Sequence, residues 1–459
     1  MRYGVVFAAS DFSQLRGHLL ADSENEEAAY LLCGVSQTAN ETRWLVREII
    51  SVPPDGFGRK ERYGLTISAG FTDGVLQRTR HERLAVILVH SHPFDHGRTQ
   101  YSPIDDRGEA GLFDVYYKRV PQWPHASLLL GADCMTGRHW TREGRQVPVN
   151  FVRVVGRTIR AWGLNSERHR AEISPVHERQ VLAFGMEGQG RIAKATAAIV
   201  GAGGTGSITA EQLVRLGIGR VILIDDDRIE ASNVSRVFGS VDADVAARTP
   251  KVTALERWLK QISPRTVLET HAASVLEASV SGVLRDADVI FGCTDNHTSR
   301  ALLNQLAYQY LIPYIDMGNR IAAGDGQVTG GSGRVVVMTP LAPCLWCYED
   351  IRAKIISEES LSATDREGLR RDGYIEGADI ANPSVISLNT TVSGLAVTEF
   401  LNLLTGFLPE GPSGYKLHYR LLDQTIEKVV VSHLEQCVCT RRGQYWGYGD
   451  CRPLPTRGR

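Results

Sequence analysis

The stretch ATAAIVGAGGTGSITAEQLVRLGIGRVILIDDD, residues 195–227, decides the fold of the second half of the chain. An apolar run leads into a glycine-rich turn, a segment with helical spacing ends at glycine, and a second apolar run ends in three aspartates. Continuous apolar strands that alternate with helices are typical of a parallel sheet covered on both faces. The later stretches LRDADVIFGCTDN and LIPYIDMG continue the series. We therefore predict a doubly wound α/β fold for this half.

The glycine-rich turn, GAGGTG at residues 201–206, indicates a phosphate-binding site. Glycines let the backbone approach a phosphate closely, and the N-terminus of the following helix favours negative charge. With the acidic cluster at 225–227, this pattern alone would be typical of a dinucleotide-binding dehydrogenase. The turn and the cluster therefore predict a nucleotide site without naming its reaction.

The residues that follow the second strand depart from the dehydrogenase pattern. Amide, basic and acidic side chains come in close succession, at Asn233, Arg236, Lys251 and Asp295. Arginine and lysine neutralise phosphate oxygens, and carboxylates hold a hard cation such as Mg²⁺. Hydride transfer needs none of these groups, so the set indicates a bound triphosphate with its magnesium.

These segments resemble the ubiquitin-activating superfamily, which includes the ThiF-like adenylyltransferases of thiamine and molybdopterin biosynthesis. The resemblance runs from HERQVLAFGMEGQ at 177–189, through TPK at 249–251 and CTDN at 293–296, to about residue 440. It implies a C-terminal Rossmann-like adenylation domain that uses ATP and Mg²⁺. Its partner would be a ubiquitin-like or sulfur-carrier protein, whose C-terminal glycine carboxylate attacks the α-phosphate of ATP.

The functional residues of that family are carried over position by position. Asp225 is implied for the ribose and Asp295 for the magnesium. The implied nucleotide-binding set is Gly201, Gly203, Gly204, Gly206, Asp225, Asp227, Asn233, Arg236, Lys251 and Asp295. In that family an arginine of an Arg-Gln pair reaches the γ-phosphate across a dimer, and here that arginine is Arg179, which implies a homodimer. The implied catalytic residues are Arg179, Arg236, Lys251 and Asp295.

Two cysteine pairs, CLWC at 344–347 and CVC at 437–439, lie in the same half. Many family members carry half of a structural zinc site at the first position and a CxxC pair, rather than CxC, as the second half. Four thiolates hold zinc tetrahedrally and add to the free energy of folding. The resemblance thus implies a structural zinc on Cys344, Cys347, Cys437 and Cys439. The alternative is a reactive thiol at Cys437, Cys439 or Cys451.

The segment 348–389, where activating enzymes usually carry the cysteine that accepts the acyl group, contains no cysteine. The sequence therefore supports adenylation but not a self-thioester. Three routes stay open for the adenylate: a C-terminal cysteine, direct transfer to a partner such as a conjugating enzyme, or a hydroxyl group.

The N-terminal half has its own motif, LAVILVHSHPFDHGRTQYSPIDDRG at 84–108. Alternate side chains of a strand share a face, so His90 and His92 converge at its end. Two imidazoles and a carboxylate, here Asp105, are a common ligand set for catalytic zinc. The stretch SPIDD is typical of a helix start, with Ser102 as N-cap and Pro103 at the first helical position.

Together with Glu27 and Gly34 upstream, this motif resembles the JAMM (MPN) metalloproteases over roughly residues 1–145. The resemblance implies an α/β domain that hydrolyses peptide or isopeptide bonds after the C-terminal glycine of a ubiquitin-like protein. His90, His92 and Asp105 would be the ligands of a catalytic zinc. Glu27 would be the acid/base, and Ser102 would steady the oxyanion.

The domain organisation predicted from the 459 residues is a fusion: a JAMM domain at 1–145, a connector with helical spacing at 146–178, and an adenylation domain at 179–459. The net charge of −1 does not indicate nucleic acid or a membrane, and the start of the chain does not resemble a signal peptide, so we expect a cytoplasmic enzyme. Such fusions resemble prokaryotic ubiquitin-like conjugation systems, some linked to antiviral defence. The alternatives are a sulfur-carrier pathway and a catalytically silent scaffold.

Overall fold

The computed structural model describes residues 1–163, 174–362, 364–367, 383–440 and 444–456. They fall into two compact units. The first contains the described residues up to 163 together with 309–311 and 444–453, and the second contains the others. In this part of the chain no helix is both long enough and apolar enough to span a bilayer.

The first unit is built from eleven strands and three long helices of the described residues. The strands are β1 Arg2–Ala8, β2 Ala28–Gln37, β3 Glu41–Ser51, β4 Phe57–Glu61, β5 Gly64–Ile67, β6 Ala85–His92, β7 His125–Gly131, β8 Met135–Trp140, β9 Gln146–Pro148, β10 Phe151–Val155 and β11 Ile159–Gly163. The helices are α1 Ala9–Leu19, α2 Ala69–Glu82 and α3 Pro103–Arg119. The main sheet has the order β11-β10-β1-β3-β2-β6-β7-β8-β9, and β4 and β5 form a separate hairpin.

Strand β6 lies inside this sheet, antiparallel to β2 and parallel to β7. All its residues are buried. Ile87 and Val89 belong to one apolar core, and Val86 and Leu88 belong to the core on the opposite face, where residues of α2 and α3 pack. The alternation of a strand therefore puts the side chains of His90 and His92 on the α3 face.

The prediction of a helix-like connector at 146–178 is wrong over residues 146–163. These residues form β9, β10 and β11, and β10 extends the sheet by pairing in parallel with β1. The strand pairing buries the apolar, β-branched residues of FVRVV (151–155). This burial favours a strand over the helix that their spacing suggested. The next described residues form a short turn, Pro175–His177, and residues 164–173 lie outside the described part.

The second unit contains an eight-stranded sheet of described residues. Its strands are β12 Thr196–Val200, β13 Arg220–Ile224, β14 Val267–His271, β15 Val289–Gly292, β16 Tyr314–Gly324, β17 Gln327–Met338, β18 Tyr415–Arg420 and β19 Thr425–Val429. Its helices are α4 Glu178–Lys194, α5 Gly204–Arg215, α6 Asp242–Ala247, α7 Lys251–Ile262, α8 Ala278–Val283, α9 His297–Tyr310, α10 Ala353–Glu359 and α11 Ile386–Thr405. Helix α4 is interrupted at Gly185, where φ is 69°.

The strand order of this sheet is β14-β13-β12-β15-β16-β17-β18-β19. The first five strands are parallel, as the sequence predicts, and the last three are added antiparallel. The chain order reverses between β12 and β15, and in sheets of this kind ligands bind at that point, beyond the carboxyl ends of the strands. Helix α11 is strongly apolar and packs against α5 and β16.

Candidate active sites

The glycine-rich turn leaves β12 at the point where the strand order reverses. Gly201 has φ 97°, and a Cβ at this position would lie 2.5 Å from the carbonyl oxygen of Cys293. A Cβ on Gly206 would overlap the carbonyl oxygen of Gly201, so the backbone of the turn packs directly against residue 206. Gly203, by contrast, faces open space. The turn thus needs glycine both for its backbone conformation and for close packing.

A cavity of about 710 Å³ opens above this turn. Nine of the ten predicted nucleotide-binding residues line it: Gly201, Gly203, Gly204, Asp225, Asp227, Asn233, Arg236, Lys251 and Asp295. The tenth, Gly206, is buried in the turn. The tertiary structure therefore gathers into one cavity the residues that the sequence distributes over four separate stretches.

Asp225 is fixed at the end of β13 by the backbone. Its two oxygens accept hydrogen bonds from the N–H groups of Ala202, at 2.6 Å, and Asp227, at 2.8 Å. Burial raises the pKa of Asp225, and nearby Lys251 and these N–H groups oppose the shift. The carboxylate is thus held between the glycine turn and the acidic cluster, where a ribose hydroxyl would meet it.

Lys251 stands at the start of α7 and is one of the basic residues that line the cavity, together with Arg236 and Arg300. Its Nζ lies 2.7 Å from Oδ2 of Asp227, and its backbone N–H donates to the carbonyl oxygen of Asp227 at 3.0 Å. The Lys251 side chain is 13% exposed and the Asp227 side chain 68% exposed, so the lysine is held against the protein and the aspartate faces solvent.

Asn233 and Arg236 come from the turn after β13. Asn233 is buried, and its Oδ1 accepts from the N–H of Glu230 at 3.1 Å. The Arg236 guanidinium donates to the carbonyl oxygen of Ser232 at 2.5 Å and faces the cavity. Asp295 is exposed just after β15, a position open to a hydrated cation. Carboxylate oxygens are ligands that Mg²⁺ prefers.

Sequence reasoning missed a buried charge network beneath the cavity. Asp316 is fully buried at the end of the β15–β16 pairing and lies 3.4 Å from Nε of Arg300 and 3.3 Å from Nη2 of Arg334. Arg300 also donates to the carbonyl oxygen of Thr294 at 2.6 Å. This contact anchors the loop that carries Asp295. The aspartate sits in an ordinary apolar strand pattern, so only the fold identifies it.

Arg179 does not lie with these residues. It is exposed in the first turn of α4 and does not line the cavity of its own chain. The same helix exposes 88% of Leu182 and 55% of Met186. An exposed arginine on a helix that also exposes apolar side chains is compatible with the action across a dimer that the sequence predicts.

The four predicted zinc cysteines converge. The sulfur of Cys344 lies 3.4 Å from that of Cys437 and 3.9 Å from that of Cys347, and the sulfur of Cys439 lies 3.6 Å from that of Cys347. Zinc–sulfur bonds of about 2.3 Å in a tetrahedron place sulfurs about 3.8 Å apart, so these separations are compatible with a four-thiolate zinc site despite the shorter spacing of the CxC pair.

The other cysteines are poor candidates for an acyl acceptor. Cys451 packs with the cores of the first unit, and burial raises its pKa to about 12. Cys293 lines the nucleotide cavity, but burial raises its pKa still further. Since the thiolate is the nucleophile, neither residue is activated for thioester formation.

In the first unit, the predicted metal residues meet at the end of β6. Nε2 of His90 lies 3.3 Å from Oδ1 of Asp105, and Nε2 of His92 lies 3.9 Å from Oδ2 of the same carboxylate. Nε2 of His90 is buried and has no hydrogen-bond partner among the described residues. Nδ1 of His92 lies 3.2 Å from Asp95, an arrangement that directs Nε2 toward a metal. Donor types and distances therefore fit zinc.

The acidic residue beside this cluster is Glu26, not the predicted Glu27. Oε1 of Glu26 lies 3.3 Å from Nε2 of His92, and the side chain is 4% exposed. Glu27 pairs with Lys60 on β4, while its backbone N–H donates to the hydroxyl of Ser91. Neighbouring residues at the start of a strand point to opposite sides, so one step in sequence decides which glutamate faces the histidines.

Ser102 has the predicted capping role. Its hydroxyl accepts from the N–H of Asp105 at 3.2 Å, and Asp105 accepts from the N–H of Ser102 at 2.7 Å. This capping box fixes the first turn of α3 and holds Asp105 toward His90. The oxyanion role of Ser102 stays a prediction.

The second unit has parallel strands with a glycine turn where the strand order reverses, and basic and acidic residues surround one cavity there. These features define it as a nucleotide-binding α/β protein. Residues 177–440, more than half of the chain, match the ThiF family, and the chain belongs to that family.

Three curated relatives are similar to part of this chain. The SAMP-activating enzyme E1 of Haloferax volcanii is 29% identical over 56% of this chain and 85% of its own length. The sulfur carrier protein ThiS adenylyltransferase of Bacillus subtilis is 31% identical over 49% of this chain and 58% of its own. The ubiquitin-like modifier-activating enzyme 5 of Drosophila mojavensis is 31% identical over 58% of this chain and 63% of its own. The match thus spans less than two thirds of the second and third relatives.

Proposed function

We propose that the second unit adenylates the C-terminal glycine of a small carrier protein. A carboxylate oxygen of the glycine attacks the α-phosphorus of ATP, the bond to the β-phosphate oxygen breaks, and pyrophosphate leaves. The convergence of Arg236, Lys251 and Asp295 on the glycine-lined cavity carries this proposal. No protein nucleophile is needed, because positioning and charge neutralisation are sufficient for this step.

Each residue has a role that follows from its position. Asp225 binds the ribose, and the N–H groups of the glycine turn receive the phosphates. Lys251 and Arg236 neutralise negative charge as pyrophosphate departs. Asp295 would hold magnesium, which shields the phosphate charges when bound. Arg300 steadies the loop of Asp295 through Thr294.

The carrier protein is proposed from the relatives, which are named for SAMP, for the sulfur carrier ThiS and for a ubiquitin-like modifier. We propose a ubiquitin-like protein first and a sulfur carrier as the second candidate. Because no described cysteine near the cavity is activated, the adenylate would pass directly to a nucleophile of a partner, such as a conjugating enzyme.

The decisive experiment is ATP–pyrophosphate exchange in the presence of a small protein that ends in glycine. The wild-type chain should catalyse exchange, and Asp295→Ala should abolish it while the protein remains folded. Asp325→Ala, at the exposed tip of the β16–β17 hairpin, is the matched control and should exchange at the wild-type rate. A wild-type chain that shows no exchange with any such protein would refute adenylation.

A second activity is proposed for the first unit, because Glu26, His90, His92 and Asp105 cluster there. We propose hydrolysis of the peptide or isopeptide bond that follows the carrier's C-terminal glycine. His90, His92 and Asp105 would hold zinc, which supplies Lewis acidity to the scissile carbonyl. Glu26 would take a proton from the attacking water and deliver it to the leaving amine.

This second activity is tested with a carrier extended beyond its glycine. The chain should release the extension, and His90→Ala should stop release without changing ATP–pyrophosphate exchange. Asp295→Ala should have the reverse effect. If His90→Ala and Asp105→Ala both leave cleavage unchanged, the first unit is not a zinc peptidase.

A further inference from the structure

Asn389, near the start of α11, places its side-chain amide against the phosphate turn. A Cβ on Gly204 would overlap Nδ2 of Asn389 and would lie 3.5 Å from Cδ of Arg236. Asn389 is only 4% exposed, yet it lines the nucleotide cavity. The first residue of α5 must therefore be glycine because an amide from a much later helix occupies the space beside it.

The orientation of this amide is fixed by its neighbours. Nδ2 of Asn319 donates to Oδ1 of Asn389 at 2.8 Å, and Nδ2 of Asn389 donates to the hydroxyl of Ser384 at 3.2 Å. The amide nitrogen carries two N–H groups. Ser384 accepts from one, and the second has no acceptor among the described residues. The oxygen is thus held away from the turn, and a donor is left beside it.

We propose that Asn389 is a phosphate-binding residue: its second N–H donates to a phosphate oxygen of the nucleotide beside Gly204 and Arg236. A buried amide donor is costly without an acceptor, and a charged phosphate oxygen is the strongest acceptor that this cavity would receive. The inference rests on the proposed nucleotide site and adds to it a contact from α11.

A purely structural role for Asn389 is the competing explanation. The same amide ties Asn319 of β16 to Ser384 ahead of α11, and this tie alone would justify a buried asparagine. The two explanations differ in what they predict for nucleotide affinity in a variant that is still folded.

The experiment measures equilibrium binding of AMP, ADP and ATP with Mg²⁺ by isothermal titration calorimetry. Asn389→Ala should weaken binding about tenfold or more, the range expected when a hydrogen bond to a charged group is lost. A loss shared by all three nucleotides assigns the contact to the α-phosphate, and a loss confined to ADP and ATP, or to ATP, assigns it to the β- or γ-phosphate.

A second variant guards against misfolding. Asn389→Asp keeps the size of the side chain and an acceptor for Asn319, but it has no N–H and adds negative charge, so affinity should fall further. Asn402→Ala is the matched control, because Asn402 is also buried on α11, accepts from the N–H of Leu408 at 3.1 Å and does not line the cavity. Its nucleotide affinity should stay within about twofold of wild type.

The inference is overturned if folded Asn389→Ala binds AMP, ADP and ATP as tightly as wild type. That result would leave the proposed adenylation intact, provided Asp295→Ala still abolishes exchange. Conversely, nucleotide binding that depends on Asn389 in a chain that exchanges with no carrier would support this inference and refute the proposed substrate.

Discussion

Oε1 of Glu26 lies 3.3 Å from Nε2 of His92, at the buried end of β6. The adjacent glutamate is turned toward Lys60 on the β4–β5 hairpin. Two neighbouring residues of the same chemical type therefore have different environments: Glu26 lies beside the histidines and Glu27 is paired with a lysine.

Glu26→Gln should reduce cleavage of an extended carrier by about 100-fold or more, because general acid–base catalysis typically contributes that much. Glu27→Gln is the matched control and should retain cleavage within about threefold, since it loses only a pair with Lys60, whose side chain is 30% exposed. Rates are compared by mass spectrometry of the released extension. Full activity in Glu26→Gln with loss in Glu27→Gln would restore the role that the sequence assigns to Glu27.

Cys344→Ser should lose one bound zinc per chain and should unfold at lower temperature. The reason is that a structural zinc contributes directly to folding, and three remaining thiolates hold it poorly. Metal content is measured by inductively coupled plasma mass spectrometry and stability by calorimetry. Cys134→Ser, a half-buried cysteine outside the cluster, should change neither. Equal zinc content in both variants would contradict the four-cysteine site.

Arg179→Ala and Asp295→Ala should each abolish exchange, yet their mixture should recover about a quarter of wild-type activity. When the two variants are mixed in equal amounts, half of the symmetric dimers that form contain one chain of each variant. Each of these hybrid dimers has one complete site, with its own Asp295 and the partner's Arg179. Leu182→Asp, on the exposed face of α4, should prevent this rescue by preventing dimerisation. Sedimentation follows the oligomeric state. Absence of rescue in stable mixed dimers would show that Arg179 does not act across the interface.

The ion pair of Asp244 and Arg257 should make stability fall at acidic pH. Arg257 donates to both oxygens of Asp244, at 2.8 and 2.7 Å, and holds the pKa of Asp244 at about 2. An unfolded aspartate has a pKa of about 3.9. The pair therefore stabilises the fold fully above about pH 4, and this contribution is lost as the pH falls toward 2.

Urea unfolding of Arg257→Met and wild type between pH 7 and pH 3 measures this contribution. The difference in free energy of unfolding between wild type and Arg257→Met should be constant near neutral pH and should become smaller below about pH 4. Arg215→Met is the control, because Arg215 pairs with Glu211 within one helix at the surface and should contribute little at any pH. A gap that does not change with pH would rule out the ion pair as its cause.

Much of the second unit was predictable because its signals are local. The apolar runs of β12, β13 and β15 and the helical spacing of α5 depend on periodicities of a few residues, and the structure confirms them. The prediction failed over residues 146–163, because a short strand such as β10 is defined by its pairing with β1 and β11 and not by its own pattern.

The sequence by itself determined the glycine turn, the acidic and basic residues that follow it, and the His-x-His pair, since each depends on residue types at short spacing. The tertiary structure alone decided that Glu26 and not Glu27 faces the histidines, that the CxC pair lies against the cysteines of CLWC, and that Asn389 lies against Gly204. The physical reason is that side-chain direction and contacts between distant segments are set by packing and strand pairing, which no local pattern encodes.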